Sequence, residues 1–314
     1  MAPWTAANIS DLTGRTALVT GANSGLGFET AKALAERGAS VILACRDATR
    51  CDAAAQRIRQ AVPPAQLEQL LLDLSDLDSV RAFADEVGTR HGTLDILVNN
   101  AGVMAPPTRL TTKQGFELQF GTNHLGHFAL TGLLLPSLMR AAGSRIVTVS
   151  SFAHEAGQID FDDLQRERAY TPYGAYSASK LANLLFMLEL DRRLRAAGVG
   201  TISVGAHPGF ASTNLQAAGP FLGTKPLLSW LVLGGVRLMG QSAAQGAEPQ
   251  LYAATAPGVE GGDYYGPKSR FRGHAAPSTM APQARDEDAA GQLWDVSERT
   301  TGVDMDAAIA GPKG

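Results

Sequence analysis

Tyr176-Ser177-Ala178-Ser179-Lys180 opens an apolar-periodic run, Leu181, Leu184, Leu185 and Leu188, that reads as a buried helix. Residues four apart share a helix face, which sets the Lys180 ammonium beside the Tyr176 phenol. A phenol with a pKa near ~10 is a poor base at neutral pH. A cation next to it favours the phenolate, lowers that value and makes a proton carrier for an alcohol or a carbonyl. The same spacing recurs at Tyr264 and Lys268. There, Gly266 and Pro267 intervene and break a helix, so the two side chains need not share a face. The bland alternative for the first pair is a lysine stem snorkelling along a partly buried helix. Its surroundings decide between the two.

The chain that must position this pair alternates β-rich apolar runs with helical periods, the signature of a parallel sheet with crossover helices. Thr16 to Thr20 reads as the first strand, followed by Gly21-Ala22-Asn23-Ser24-Gly25-Leu26-Gly27 and a helix through about Arg37. Glycines there let the backbone turn tightly and approach a pyrophosphate held at the helix N-terminus. The spacing is Gly-x-x-x-Gly-x-Gly, and its placement between strand and helix gives it weight. The second strand, Ser40 to Cys45, ends in Arg46-Asp47. About twenty residues past such a turn an acid binds ribose hydroxyls, whereas an arginine suits a 2′-phosphate. Arg46 therefore favours NADP over NAD; Asp47 beside it, and a merely solvated arginine, are the competing readings.

Leu67 to Leu72 is the third expected strand, closed by Asp73-Leu74, and a helix from Ser75 to His91 carries Asp76 and Asp78 in its first turn. A fourth strand, Leu94 to Val98, runs into Asn99-Asn100-Ala101-Gly102. Such small and amide residues line the crevice at the carboxyl end of an open α/β sheet. A long helix, Phe116 to Met139, holds Asn123 in its interior, where a buried amide must find partners. The fifth strand, Arg145 to Val149, ends in Ser150-Ser151, and the sixth, Thr201 to His207, in Pro208-Gly209.

Composition narrows the class. Of 314 residues 45% are hydrophobic and 18% charged, with a net charge of -3, which argues against a disordered tail or a nucleic-acid surface. Cys45 and Cys51 are too few for a disulfide framework and read as free thiols in a reducing cytosol. Met1 to Thr13 lacks a signal-peptide pattern, and no run reaches the ~18 uninterrupted apolar residues of a membrane span. A cytoplasmic location follows as the expectation. His154-Glu155 lacks a second histidine at the helical spacing of a zinc site, and His207 reads as a strand-end cap. No Gly-x-Ser-x-Gly elbow appears, which disfavours a hydrolase.

Together, Thr20-Gly21-x-x-x-Gly25-x-Gly27, Asp73-Leu74, Asn99-Asn100-Ala101-Gly102, Asn123, Ser151, Tyr176-x-x-x-Lys180 and Pro208-Gly209 resemble the short-chain dehydrogenase/reductase family, in its order, over roughly residues 14 to 215. The runs 44–47, 123–128, 176–183 and 293–298 resemble its retinol-dehydrogenase-like branch. The resemblance implies that Tyr176 passes a proton, Lys180 lowers its pKa and holds the nicotinamide ribose, and Ser151 steadies the substrate oxygen. It implies that Asn123 anchors a water linking Lys180 to solvent. Ser151 is chosen over adjacent Ser150 by that resemblance. The implied cofactor set is Gly21, Asn23, Ser24, Gly25, Leu26, Gly27, Arg46, Asp73, Leu74, Asn99, Ala101, Gly102, Tyr176, Lys180, Pro208, Gly209 and Thr213.

From Thr213 to Gln241 the only charged residues are Lys225 and Arg237, among many leucines and Trp230. Such a segment suits a lid over a lipophilic alcohol or carbonyl, or an interface between copies of the chain. Gly262 to Gly266 resembles a last short strand and Asp286 to Glu298 a closing helix, with an irregular loop from Pro267 to Ala284. The expected protein is one doubly wound Rossmann-type α/β domain. It comprises a nucleotide-binding and catalytic core at 14–212, a substrate-lid region at 213–258 and a C-terminal extension at 259–314. Its expected activity is NADP(H)-dependent alcohol–carbonyl interconversion on a small lipophilic substrate. Two rivals carry the same glycine turn. A non-catalytic nucleotide-binding scaffold has no need of Asn123, Ser151, Tyr176 and Lys180 together, and a methyltransferase has no use for the Tyr-Lys pair or Arg46.

Overall fold

A computed structural model describes residues 3–210 and 241–311. Eight strands, β1 (Thr16–Thr20), β2 (Ser40–Cys45), β3 (Gln66–Leu71), β4 (Ile96–Asn99), β5 (Arg145–Val149), β6 (Ile202–Ala206), β7 (Tyr264–Pro267) and β8 (Ala275–Pro277), form one sheet. Their order is β3-β2-β1-β4-β5-β6-β7-β8. Strands β1 to β7 pair in parallel, and β8 runs antiparallel to β7 along the edge. The chain reverses its direction of growth between β1 and β4, and an open α/β sheet binds its ligand outside the strand ends at such a reversal.

Two helical layers cover this sheet because its strands alternate small and branched apolar residues on both faces. Ala17, Val19, Val41 and Leu43 pack under α1 (Gly25–Glu36), α2 (Ala48–Ala61) and α6 (Ala243–Thr255). Leu18, Ile42, Leu97 and Ile146 face α3 (Leu77–Arg90), α4 (Gly126–Met139), α5 (Pro172–Ala196), α7 (Glu287–Thr301) and α8 (Met305–Ala310). Phe128 of α4, Phe186 of α5 and Trp294 of α7 meet with ring centroids 5.4 to 6.2 Å apart. Burying each such side chain stabilises the fold by ~1.5–3 kcal/mol. Aspartates start several helices: Asp47, Asp76, Asp286 and Asp304 each accept a hydrogen bond from a first-turn N–H.

Three expectations change. The helix from Phe116 to Met139 is not uniform: a turn at Leu118–Phe120 leads into a π-helical turn, Gly121–Leu125, before α4 begins. Gly126 sits where a Cβ would lie 2.4 Å from the Leu74 carbonyl oxygen, so the loop after β3 reaches the helix only because that residue is glycine. The supposed loop 267–284 contains β8 and a 3-10 turn, Pro282–Arg285. An edge strand tolerates the prolines of this stretch because one side needs no ladder partner. Within the expected lid region 213–258, α6 packs against α1 and the sheet. Residues 211–240, which include Thr213 and most of the remainder of that region, lie outside the described residues.

Candidate active site

The glycine turn is built for backbone approach. Gly21 and Gly25 have φ of 67° and 55°, in the region that side chains disfavour. A Cβ on Gly27 would lie 2.4 Å from the Gly21 carbonyl oxygen and 2.6 Å from the Asn100 amide nitrogen. The Thr20 hydroxyl accepts from the Asn100 and Ala101 N–H groups, both at 2.9 Å, and so locks the β1 and β4 ends together. The resulting crevice has a volume of about 270 Å³. Its walls include Gly21, Asn23, Ser24, Gly25, Leu26, Gly27, Arg46, Asp73, Leu74, Ala101, Gly102, Tyr176, Lys180 and Pro208. The free N–H groups and positive dipole end of α1 face it, which fits a dinucleotide's pyrophosphate.

Other expected residues fall elsewhere. Asn99 is buried and donates to the Thr131 hydroxyl at 3.0 Å, turned towards α4. Its neighbour Asn100 lines the crevice and donates to the Thr20 carbonyl at 2.8 Å. Consecutive residues at a strand end point to opposite sides, so only one of the pair can face the site. Gly209, φ 62°, has its Cα against the Phe271 carbonyl, 2.4 Å from where a Cβ would stand, and serves the packing of the 267–271 turn.

The Asn123 side chain is committed to structure. Its Oδ1 accepts from the Val103 N–H at 2.8 Å, and its Nδ2 donates to the Val103 carbonyl at 3.0 Å and the Ser179 hydroxyl at 2.9 Å. Its backbone carbonyl bonds His127 Nδ1 at 3.0 Å. Asn123 thereby holds the strand-end loop beside Lys180: a Cβ on Gly102 would lie 3.1 Å from Asn123 Oδ1 and 3.6 Å from Lys180 Nζ.

Tyr176 and Lys180 do share a face of α5, and both are buried. Nζ of Lys180 donates to the Val149 carbonyl at 3.1 Å and stands 5.8 Å from the Tyr176 ring centre. Burial of the phenol opposes the expected fall in its pKa. Burial pushes Tyr176 up to about 12, partly offset by the Ser151 hydroxyl, and pulls Lys180 down to about 8. Taken one at a time, each ion lacks its water, and that loss outweighs attraction across this distance. The serines differ in place. Ser150 lines the crevice, donates to the Lys180 carbonyl at 2.7 Å and lies beside Tyr264, whereas Ser151 lies beside Tyr176.

Sequence reading missed two groups here. Arg50 lines the crevice with Arg46, while Asp47 caps α2 by accepting from the Arg50 N–H at 2.9 Å. A basic residue one helical turn beyond the strand-end arginine was the available signal. The second group is His154 and His207, both buried. His154 Nδ1 meets the Ser151 carbonyl at 2.6 Å, and His207 Nε2 meets the Ser278 hydroxyl at 3.1 Å. Their partners beyond that turn, Ala281 for His154 and Ser278 for His207, are distant in sequence, so no spacing announced them. Among the described residues, no helix is long and apolar enough to cross a membrane.

Comparison with known proteins is consistent with this geometry. The family model for short chain dehydrogenases matches residues 15–219. Human retinol dehydrogenase 13 is 45% identical over 296 residues, covering 93% of this chain and 86% of its own length. Mouse retinol dehydrogenase 14 is 44% identical over 306 residues, with 92% and 86% covered. A crystal structure of an uncharacterised protein from Mycobacterium paratuberculosis superposes with a TM-score of 0.80 at 43% identity, covering 97% of this chain and 99% of that one. A short chain dehydrogenase from Shigella flexneri, complexed with NADP, shares the fold at 23% identity and a TM-score of 0.63, covering 81% and 97%.

Proposed function

The chain belongs to the short-chain dehydrogenase/reductase family, as an oxidoreductase acting on CH–OH groups and similar to retinol dehydrogenases, and from that premise we propose that it is an NADP(H)-dependent dehydrogenase or reductase of a small lipophilic alcohol or carbonyl. One observation supports the reading: Tyr176 and Lys180 line the same crevice as Arg46 and Arg50, with the Ser151 hydroxyl beside Tyr176. Asp47 is occupied as a helix cap and pairs with Arg50 at 3.9 Å, and Arg46 beside it supplies the charge that suits a 2′-phosphate.

When bound, the nicotinamide supplies or accepts the hydride. The protein's own groups hold the rest. Ser151 donates a hydrogen bond to the substrate oxygen and steadies charge that develops on it. Tyr176 passes its hydroxyl proton to that oxygen during reduction and takes it back during oxidation. Lys180, mostly protonated at neutral pH with a pKa of about 8, stabilises the phenolate that proton transfer leaves behind. Asn123 keeps the 101–103 loop in place beside Lys180. Asp73 and Leu74 form the crevice wall, with Asp73 accepting from the Ser75 hydroxyl at 2.6 Å.

The test is a carbonyl screen that follows NADPH and NADH absorbance in parallel. Turnover with NADPH at least tenfold more efficient than with NADH is the expected result. A preference for NADH removes the 2′-phosphate assignment, and no turnover with either cofactor on aliphatic, steroid and retinoid carbonyls removes the enzyme.

A further inference from the structure

Ser151 is the last residue before a short 3-10 turn, Phe152–Ala156, and its backbone is extended at φ −153° and ψ 156°. Its Oγ accepts from the Ala153 N–H at 3.2 Å, and its carbonyl accepts from the His154 N–H at 3.0 Å. The carbonyl takes a second bond from the His154 ring, at 2.6 Å from Nδ1. On the other side of that ring, Nε2 lies 3.1 Å from the Ala281 nitrogen. A backbone N–H can only donate, so Nε2 accepts. The single ring proton of the neutral imidazole is then on Nδ1, donated to Ser151. Burial, which holds the pKa of His154 below its ordinary value, favours the same neutral ring.

Ala281 belongs to the segment after β8, more than a hundred residues from Ser151. That segment is fastened twice more to the same corner. Gln283 Nε2 donates to the Glu155 carbonyl at 2.9 Å, and the Ser278 hydroxyl meets His207 Nε2 at 3.1 Å. His207 in turn accepts from the Gly209 N–H through Nδ1, at 3.3 Å, next to the crevice-lining Pro208.

We propose that His154 is a positioning residue: its imidazole transmits the placement of the 278–283 segment to Ser151, so that the serine hydroxyl faces Tyr176. The inference rests on the reading of Ser151 as the group that holds the substrate oxygen. A hydroxyl misplaced by about 1 Å costs on the order of a hundredfold in rate, which gives a ring that touches no substrate a kinetic role.

Three variants separate placement from bulk structure. In His154→Asn the amide Nδ2 takes the place of Nδ1 and keeps the bond to Ser151; in His154→Gln the amide reaches towards Ala281; His154→Ala makes neither. The expected result is a kcat for His154→Ala and His154→Gln reduced by about thirtyfold or more, and for His154→Asn by under about threefold, within the range set by such a displacement. NADPH affinity, read by fluorescence titration, should stay within about twofold in all three, because the ring lies outside the crevice walls. If all three lose activity only in proportion to their loss of folded protein, or if Asn and Gln behave alike, the proposal is overturned. A second readout needs no turnover. The ¹⁵N spectrum of the histidine-labelled wild type at pH 7, assigned by the peak lost in His154→Asn, should show Nδ1 protonated and Nε2 accepting. The opposite tautomer or an imidazolium overturns the proposal even if the wild type proves inactive, whereas inactivity itself counts against the enzyme assignment alone.

Discussion

Two tyrosines in this chain stand four residues before a lysine, and the fold treats them differently. Tyr176 and Lys180 lie on one face of α5 and are both buried, with the phenol beside Ser151 and the ammonium on the Val149 carbonyl. Tyr264 lies in β7, where it is buried between the rings of His154 and His207, at centroid distances of 5.8 and 5.3 Å. Lys268 follows in an exposed turn. The Tyr264 hydroxyl has no hydrogen-bond partner among the described residues, and burial pushes its pKa strongly upward. Spacing alone does not make a proton carrier. A helix is needed to bring residue i+4 back to the same side, and a strand sends it about 13 Å along the chain, from a rise of ~3.3 Å per residue.

The largest expected effect comes from breaking the first pair. Tyr176→Phe should lower kcat/KM by about a thousandfold, ~4 kcal/mol of transition-state stabilisation, while NADPH affinity holds. Retention of more than a tenth of wild-type activity would show that another group moves the proton.

Lys180→Met should abolish turnover and yet stabilise the protein at pH 7. Burial lowers the lysine's pKa from 10.5 to about 8. Between those values the unfolded chain holds a proton that the folded protein has released, so raising the pH through that window favours folding. Below pH 8 both states are protonated and the full penalty, about 3 kcal/mol, is present. Replacing Lys180 should therefore raise the melting temperature at pH 7, with the gap to wild type closing as pH rises from 8 to 10.5. A variant less stable than wild type at pH 7 would mean that the Val149 hydrogen bond outweighs desolvation.

A smaller effect sharpens the contrast, since the first pair lines a crevice that it shares with Arg46. Arg46→Ala should weaken NADP by about 10- to 100-fold, the loss of a charge-assisted bond worth ~1.5–3 kcal/mol, with NAD affinity little changed. Equal losses for the two cofactors, measured by titration, would reduce Arg46 to a loop support.

The smallest effect belongs to the second pair. Tyr264→Phe deletes a buried hydroxyl without a partner, and should leave kcat within about twofold and stability unchanged or raised by about 1 kcal/mol. A large loss of activity here, with Tyr176→Phe mild, would invert the assignment.

The order of strands and helices was legible because it rests on local rules. Period-2 and period-3.6 patterns, glycines in tight turns and aspartates at helix starts act over a few residues, and each is written in consecutive positions such as Thr16 to Gly27. The pairing of Tyr176 with Lys180 is equally local, since one helical turn suffices to bring them together. What escaped depends on burial and on contacts between distant segments. The direction of the Tyr176 pKa follows from how deeply the helix is covered, which no spacing encodes. Whether Asn99 or Asn100 faces the crevice follows from which side of the β4 end meets α4. The π turn at Gly121–Leu125 and the edge strand β8 answer to packing against neighbours rather than to intrinsic preference. His154 joins Ser151 to Ala281 across 130 residues of chain, and only the folded sheet brings those ends within a hydrogen bond of one imidazole.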